Sequence, residues 1–260
     1  MPRGTGFRGP LFFSAPHLPF DSIPLSIAQA LTADRSGVAV GGNALYTGPR
    51  TAGTSGGWTL TETSAGAGNG NNVAQNHLGQ LVLTTDNGDN DLENMQYTGR
   101  LFRYSTTRKL ACFARIALGD ANDGEALFGL AVADTSLTAS APADGIYFNK
   151  AETATDWTIN VISSAASSTT ATAGLTLSDD GFVVLGFTIV GGAIRWWAKA
   201  DSNDQLNDDN PFWLGAGTSI VNTNAPATTT DLLLSLGIQT GATDVDYMTV
   251  DWAFCVEWDS

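Results

Sequence analysis

The chain has 260 residues, a formal net charge of -14 at pH 7 and an apolar fraction of 43%. An apolar fraction close to the globular norm predicts a folded chain, and the length allows one large all-β domain with an appendage. A strongly acidic protein repels phosphate backbones, which argues against nucleic acid as a partner. No apolar run approaches the roughly 18 residues of a membrane span, so no membrane association is expected.

Residues 1–57 predict an extended N-terminal arm. Five of the nine prolines fall within the first 24 residues, where they restrict the backbone to extended conformations. The bulky apolar side chains of this stretch are Phe7, Leu11, Phe12, Phe13 and Phe20. Because an apolar extended segment is unfavourable in water, the arm is expected to lie in a groove on its own body or on a partner.

One short helix is predicted within the arm, over residues 25–36. Good helix formers fill this range, and Gly37 follows it as a stop signal. Its apolar residues are Leu25, Ile27, Ala28 and Leu31. Residues 37–57 are interpreted as short extended pieces joined by turns.

From residue 58 to residue 260 the apolar pattern changes to a period of two, which predicts β-strands. The predicted strands lie at residues 57–62, 79–86, 109–118, 125–134, 144–150, 156–163, 182–190, 193–200, 231–239 and 245–258. No amphipathic helix long enough for a βαβ crossover separates them, so most strand pairs must be antiparallel. The predicted fold class is therefore an all-β antiparallel sandwich.

An acidic stretch, TTDNGDNDLENM, joins the strand at residues 79–86 to a further predicted strand near residues 95–104, and it carries Asp86, Asp89 and Asp91. It fails the EF-hand template: position three is Gly88 when counting starts at Asp86, and position six is Leu92 when it starts at Asn87. The preferred interpretation is a solvated connector, with no bound metal or cofactor. A looser calcium site at the three carboxylates is the alternative.

Two later features concern connections between strands. Residues 163–174, SSAASSTTATAG, are rich in small side chains and are interpreted as a long loop or a flexible hairpin tip. Gly191 and Gly192 lie between two apolar strands and give the clearest hairpin, because a two-residue loop needs positive φ. The strand before them is apolar on both faces, which is typical of a strand in the middle of a layered structure.

The strand after this hairpin carries Trp196 and Trp197. Adjacent strand residues point to opposite faces, so one ring should enter the core and the other should not. An exposed ring on a concave sheet could stack on a sugar. The alternative is that the arm or a neighbouring subunit covers it.

No catalytic set is evident. The last strand carries Asp246, Asp251 and Glu257, but these carboxylates either face opposite sides or lie about 20 Å apart along the strand, which does not suit a glycosidase pair. The histidines, His17 and His77, are not accompanied by the GxSxG motif of a serine hydrolase. The protein is therefore not expected to be an enzyme.

The two cysteines, Cys112 and Cys255, each lie in an apolar run. Two reduced core thiols are the preferred interpretation, because free cysteine packs as a small hydrophobe. A disulfide between them is the alternative.

The order of strands and aromatic residues over residues 100–256 resembles the concanavalin-A-like, or laminin-G-like, jelly-roll domains of tailed-bacteriophage head proteins, of the decoration or cement kind. The resemblance is carried by FGL at residues 128–130, DGIYF at residues 144–148 and VDYMTV at residues 245–250. It is a pattern of strands and aromatics without catalytic residues.

This resemblance implies a structural virion protein on the capsid surface, assembled in the host cytoplasm. Its partners would be the major capsid protein and further copies of itself, with a homotrimer expected. The arm residues expected to contact the shell are Arg3, Phe7, Arg8, Leu11, Phe12, Phe13 and Phe20. The alternative function is a carbohydrate-binding module or head fibre that contacts host glycans through Trp196 and Trp197.

Overall fold

A computed structural model describes residues 37–41, 52–63, 72–75, 80–165, 167–200, 217–241 and 245–259. These ranges contain sixteen β-strands in two sheets and no helix, which confirms the all-β class. No helix in the described ranges could therefore cross a membrane. The helix predicted at residues 25–36 lies outside the described residues.

The first sheet, sheet A, has eight strands. They are β1 (Gly37–Gly41), β4 (Asn72–Gln75), β5 (Leu81–Thr84), β7 (Arg108–Leu118), β12 (Val183–Val190), β13 (Ala193–Ala200), β14 (Thr218–Ile220) and β16 (Tyr247–Asp259). Their order is β14-β13-β12-β7-β16-β5-β4, and β1 also pairs with β16. All of these pairs are antiparallel.

The second sheet, sheet B, also has eight strands. They are β2 (Gly53–Ser55), β3 (Trp58–Thr63), β6 (Leu92–Phe102), β8 (Glu125–Ala131), β9 (Gly145–Lys150), β10 (Thr158–Ser163), β11 (Ser167–Thr172) and β15 (Leu232–Gln239). Their order is β11-β10-β9-β8-β15-β6-β3-β2, again antiparallel throughout.

The core lies between the two sheets, because alternate residues of each strand point inward. Sheet A contributes residues such as Leu83, Leu185 and Phe187, and sheet B contributes Phe128 and Leu234, all fully buried. Burial of one such side chain stabilises the fold by about 1.5–3 kcal/mol. We call the core-facing side of each sheet its inner face and the opposite side its outer face.

Several elements differ from the sequence-based expectation. Residues 37–41 and 53–55 are strands of the sandwich, although they fall in the range assigned to the arm, so the sheets begin earlier than predicted. Residues 167–172, interpreted as part of a long loop or a flexible hairpin tip, form β11 at the edge of sheet B, paired as a hairpin with β10. Its threonines are β-branched and favour extended backbone, which the small-residue composition had obscured.

The predicted hairpin is confirmed. Gly191 and Gly192 have φ of 59° and 79°, which the two-residue turn between β12 and β13 requires. Tyr104 Oη and Asn222 Nδ2 each donate a hydrogen bond of 2.8 Å to the Gly192 carbonyl. The turn is thus held at the end of the sandwich by two side chains from other connections.

The two cysteines lie directly opposite each other on neighbouring strands. Cys112 of β7 is the register partner of Cys255 of β16, and both are free and buried. Burial, together with a hydrogen bond to Cys112, raises the pKa of the Cys255 thiol. The interpretation as two reduced core thiols is confirmed.

Candidate functional site

The acidic stretch forms a tight turn between β5 and β6. Asp91 is fully buried and its carboxylate accepts a hydrogen bond of 2.9 Å from the Gly88 amide. The backbone of Asp91 also accepts a 3.0 Å hydrogen bond from the Thr240 amide. Asp86 is buried as well, whereas Asp89 is exposed, as are Asn87 and Asn90. The stretch is therefore a connector with an exposed tip, as the sequence predicted, but two of its carboxylates are buried.

The geometry of this turn gives its carboxylates structural roles. Asp86 Oδ1 accepts a 2.9 Å hydrogen bond from the adjacent Asn87 amide, as Asp91 does from Gly88. Within the described ranges, no group of three or more His, Cys, Asp or Glu side chains is placed to hold a metal ion.

The paired tryptophans separate to opposite faces of sheet A, as their adjacency predicts. Trp196 is buried in the core, with its ring edge-on to Phe148 at 6.3 Å between centroids, so it is closed to a ligand. Trp197 lies on the outer face, half-buried, with its ring 5.7 Å from that of Phe113. Gly217 presses against the Trp197 ring, and a side chain at residue 217 would clash with it.

The arm residues named for shell contact all lie in residues 1–36, outside the described ranges. They are Arg3, Phe7, Arg8, Leu11, Phe12, Phe13 and Phe20. The structure describes the chain from Gly37, where β1 pairs with β16.

An aromatic row crosses the outer face of sheet A. Its members are Trp197 on β13, Phe113 on β7, and Phe254 and Trp252 on β16. Phe113 lies 5.6 Å from Phe254, and Phe254 lies 6.0 Å from Trp252. Gly186 of β12 makes the row continuous, since any side chain there would collide with the Phe113 ring.

The row is buried although it is on the outer face. Trp252 is 2% exposed and Phe254 is 4% exposed. Strands that are buried on both faces are typical of the middle layer of a structure. The outer face of sheet A, centred on this row, is therefore a packing surface, and we call it the aromatic face.

A buried ion pair borders the aromatic face. Arg115 Nη1 lies 3.0 Å from Asp251 Oδ2, and the Arg115 guanidinium carbon lies 3.8 Å from the centre of the Phe182 ring. Gln80 Nε2 donates a 3.3 Å hydrogen bond to Asp251 Oδ1. The register of β16 against β7 shifts between Val250 and Trp252, and this β-bulge directs Asp251 toward Arg115.

One end of the sandwich is strongly acidic. The described parts of its five connections, residues 85–91, 119–124, 151–157, 173–182 and 240–246, contain no lysine or arginine. Their carboxylates are Asp86, Asp89, Asp91, Asp120, Asp123, Glu152, Asp156, Asp179, Asp180 and Asp246. We call this the acidic end.

Asp246 is the buried carboxylate of the acidic end. Its Oδ1 accepts hydrogen bonds from the Tyr247 amide at 2.7 Å and the Asp120 amide at 3.2 Å. Its Oδ2 is buried against Gly124 and makes no hydrogen bond with the described residues. Burial raises the pKa of Asp246 to about 6, because desolvation outweighs the two amide hydrogen bonds that lower it.

A buried lysine lies near this carboxylate. Lys150 is 1% exposed and donates hydrogen bonds to the carbonyls of Gly124 and Glu152. Burial lowers the pKa of Lys150, an effect that Asp246 and Asp120 oppose. The lysine thereby ties β9 to the turn that covers Asp246.

The opposite end of the sandwich holds a cleft of about 600 Å³. Its lining residues are Tyr97, Gly99, Arg100, Leu101, Arg103, Arg108, Asp231 and Glu257. Arg108 pairs with Glu257 at 3.2 Å, and Arg103 pairs with Asp231 at 2.7 Å. Three arginines against two carboxylates make this cleft locally basic on an acidic protein.

The three carboxylates of β16 that the sequence offered for acid–base chemistry lie in three separate environments. Asp246 is at the acidic end, Asp251 is paired with Arg115, and Glu257 is in the arginine cleft. They do not share a groove, which agrees with the sequence-based rejection of a glycosidase pair. The sequence did not predict the Arg115–Asp251 ion pair, although an arginine within an apolar strand could have indicated a buried charge with a partner.

Comparison with known proteins defines the fold. The chain resembles peanut lectin, with 12% identity over 86% of this chain and 99% of that one and a TM-score of 0.53. It also resembles the lectin UEA-II complexed with galactose, with 12% identity over 85% of this chain and 98% of that one and a TM-score of 0.51. It also resembles an endo-1,3-beta-glucanase from Streptomyces sioyaensis (14%, 81% and 92%, TM-score 0.50). No protein-family model and no curated sequence matches the chain.

These likenesses assign the concanavalin-A-like jelly-roll fold of the legume lectins, as the sequence resemblance implied. At such low identity they establish the fold alone. Two lectins and a glucanase share it, so the fold itself is compatible with binding and with catalysis.

Proposed function

We propose that the protein is a structural protein of a tailed-phage virion that decorates and stabilises the capsid. It binds the major capsid protein through its N-terminal arm and associates with further copies of itself. The observation that carries the proposal is the jelly-roll sandwich itself, in which residues 100–256 follow the strand and aromatic pattern that resembles phage head proteins. The aromatic face is buried within the chain and serves its own packing.

The position of β1 supports the proposed role of the N-terminal arm in capsid binding. β1 pairs with β16 alongside Trp252 and Phe254, so the chain enters sheet A next to the aromatic face. Proline has already restricted the first 24 residues, which lowers the conformational entropy that they lose on docking. Arg3 and Arg8 add positive charge to the arm of an acidic protein.

The charge distribution also suits a shell protein. The acidic end concentrates carboxylates on one set of connections, whereas the arginine cleft lies at the other end. Carboxylates that face solvent on a decorated shell would make particles repel one another and stay dispersed.

Co-sedimentation with purified empty shells tests this function. The full chain is expected to sediment with the shells, and a variant lacking residues 1–24 is expected to stay in the supernatant while keeping its β-sheet circular dichroism spectrum. Trp197→Ala serves as a control that leaves the arm intact and should sediment like the full chain. Equal sedimentation of the truncated and full chains would contradict the role of the arm.

Trp197 favours a second candidate function, the recognition of a host glycan. Its ring is half-buried on the outer face of sheet A, where one part remains accessible for stacking on a sugar. Binding to a glycan array that is lost in Trp197→Ala would support this function. Unchanged binding in the variant would exclude Trp197 as the stacking residue.

A further inference from the structure

Strand β6 carries a β-bulge where it reaches the arginine cleft. The six residues 97–102 of β6 lie opposite the three residues 232–234 of β15, so three extra residues leave the ladder. The Gly57 carbonyl accepts hydrogen bonds from the amides of residues 98 and 99, at 2.7 Å and 3.1 Å, and these fix the bulge. Bulges redirect side chains and are frequent beside functional sites. This one places Arg100 in the wall of the cleft.

Arg100 has hydrogen-bond donors that the described residues do not use. Its Nη2 lies 3.6 Å from Glu257 Oε2, which is too long for a hydrogen bond, and its Nε has no hydrogen-bond partner among the described residues. Glu257 instead accepts a 3.2 Å hydrogen bond from Arg108, and Arg103 is paired with Asp231. The Arg100 side chain is 30% exposed, so its planar fork of donors can bind an anion without breaking an existing hydrogen bond.

The wall beside Arg100 combines an aromatic ring with an exposed aliphatic side chain. Tyr97 is half-buried, and its ring lies edge-on to Trp58 at 4.9 Å between centroids. The ring is packed against Gly57 and Gly99, since a Cβ at either position would come within 2.9 Å of the tyrosine side chain. Leu101 is 48% exposed. The cleft therefore offers an apolar surface next to a guanidinium.

We propose that the arginine cleft binds a sugar acid, a sugar ring that carries one carboxylate. The carboxylate pairs with Arg100, the apolar face of the ring packs on Tyr97, and its hydroxyls donate hydrogen bonds to the exposed carboxylate of Asp231. Three arginines against two carboxylates leave one net positive charge among the lining residues, which suits a monoanion better than a phosphate dianion. The volume of about 600 Å³ is typical of a small-molecule site.

This site is separate from the functions proposed above. It does not depend on capsid decoration, because it concerns the free protein. It also differs from the glycan candidate at Trp197, because that ring lies on the outer face of sheet A and does not line the cleft.

An NMR titration of the full chain with sodium glucuronate at low salt tests the proposal. Amide signals of residues 97–103 are expected to shift with glucuronate and to stay in place with glucose, which has no carboxylate, and the signals at Trp197 should not move. No shift in the cleft at millimolar glucuronate, or equal shifts with glucose, would overturn the proposal. A response to inorganic phosphate or to an acetylated glutamyl peptide without one to glucuronate would also overturn it, in favour of that ligand.

Calorimetric titration of variants assigns the contact to Arg100. Arg100→Gln is expected to bind glucuronate about tenfold more weakly than the wild type, because it loses the charged fork. Arg195→Gln, at an exposed arginine of β13 outside the cleft lining, is the matched control and should bind like the wild type. Equal affinity of Arg100→Gln and wild type would overturn the proposal.

A second pair of variants decides the matter if Arg100→Gln does not fold. Leu101→Asp adds a negative charge inside the cleft, and Val221→Asp adds the same charge outside the cleft lining. Both positions are exposed, so both variants should keep the Tm of the wild type. Leu101→Asp is expected to bind glucuronate about tenfold more weakly than Val221→Asp, since like charges repel. Equal affinity of the two variants would overturn the proposal.

Discussion

Replacing Asp246 by asparagine should stabilise the protein at neutral pH. The substitution keeps the side-chain shape and the Oδ1 acceptor that receives hydrogen bonds from the Tyr247 and Asp120 amides. It removes the negative charge that burial against Gly124 disfavours. The asparagine therefore imitates the protonated carboxyl at every pH.

The magnitude follows from the pKa, which burial raises from 3.8 to about 6. A carboxyl whose folded pKa is raised contributes its full stability below the unfolded pKa and loses it as the pH rises through the folded pKa. Between pH 4 and pH 6 the wild type thus loses up to about 3 kcal/mol of unfolding free energy from this group, at about 1.4 kcal/mol for each unit of pKa. The asparagine variant keeps that contribution.

Urea unfolding at pH 4 to pH 8 measures the effect. Wild type and Asp246→Asn should unfold at similar urea concentrations near pH 4, and the variant should become more stable by about 1–3 kcal/mol above pH 6.5. Asp123→Asn, an exposed carboxylate in the adjoining connection 119–124, is the matched control and should follow the wild type. A constant difference in unfolding free energy between Asp246→Asn and wild type across this range would show that ionisation of Asp246 does not destabilise the fold.

Two further predictions concern the ion pair and the hairpin. Asp251→Ala removes the carboxylate beside the buried Arg115 and should lower the free energy of unfolding, measured in urea, by about 3–5 kcal/mol. Arg115→Met combined with Asp251→Leu should recover most of this loss. An equal loss of stability in the single and double variants would contradict the prediction. Gly192→Ala should lower Tm more than Gly191→Ala. Both residues have positive φ, but only a Cβ at residue 192 would approach another side chain closely, 3.0 Å from Tyr104 Oη. A larger loss of Tm in Gly191→Ala would contradict this prediction.

The sandwich could be predicted from the sequence because most of its strands carry a local pattern of alternating apolar residues. The period-two pattern identified the long strands, and Gly191–Gly192 identified a turn whose chemistry is local. β11 was missed because its serines and threonines lack an apolar alternation at the sheet edge. β1 and β2 were predicted as extended pieces but not as strands of the sandwich, because short, glycine-containing strands depend on their partners for stability.

The site features depend on contacts between distant parts of the chain. Arg115 and Asp251 are 136 residues apart and meet only through the β7–β16 register and its bulge. The raised pKa of Asp246 arises from burial under a turn about 126 residues away in sequence. A single sequence shows the residue types but not these registers, so it could name Asp246 and Asp251 without assigning their environments.

A cryo-EM reconstruction of empty shells with and without bound protein tests capsid decoration directly. Additional density is expected at fixed sites on the outer surface of the shell, with each unit fitting the two-sheet sandwich and its arm running along the major capsid protein. The units are expected to cluster in threes. Identical reconstructions at saturating protein concentration would contradict capsid decoration.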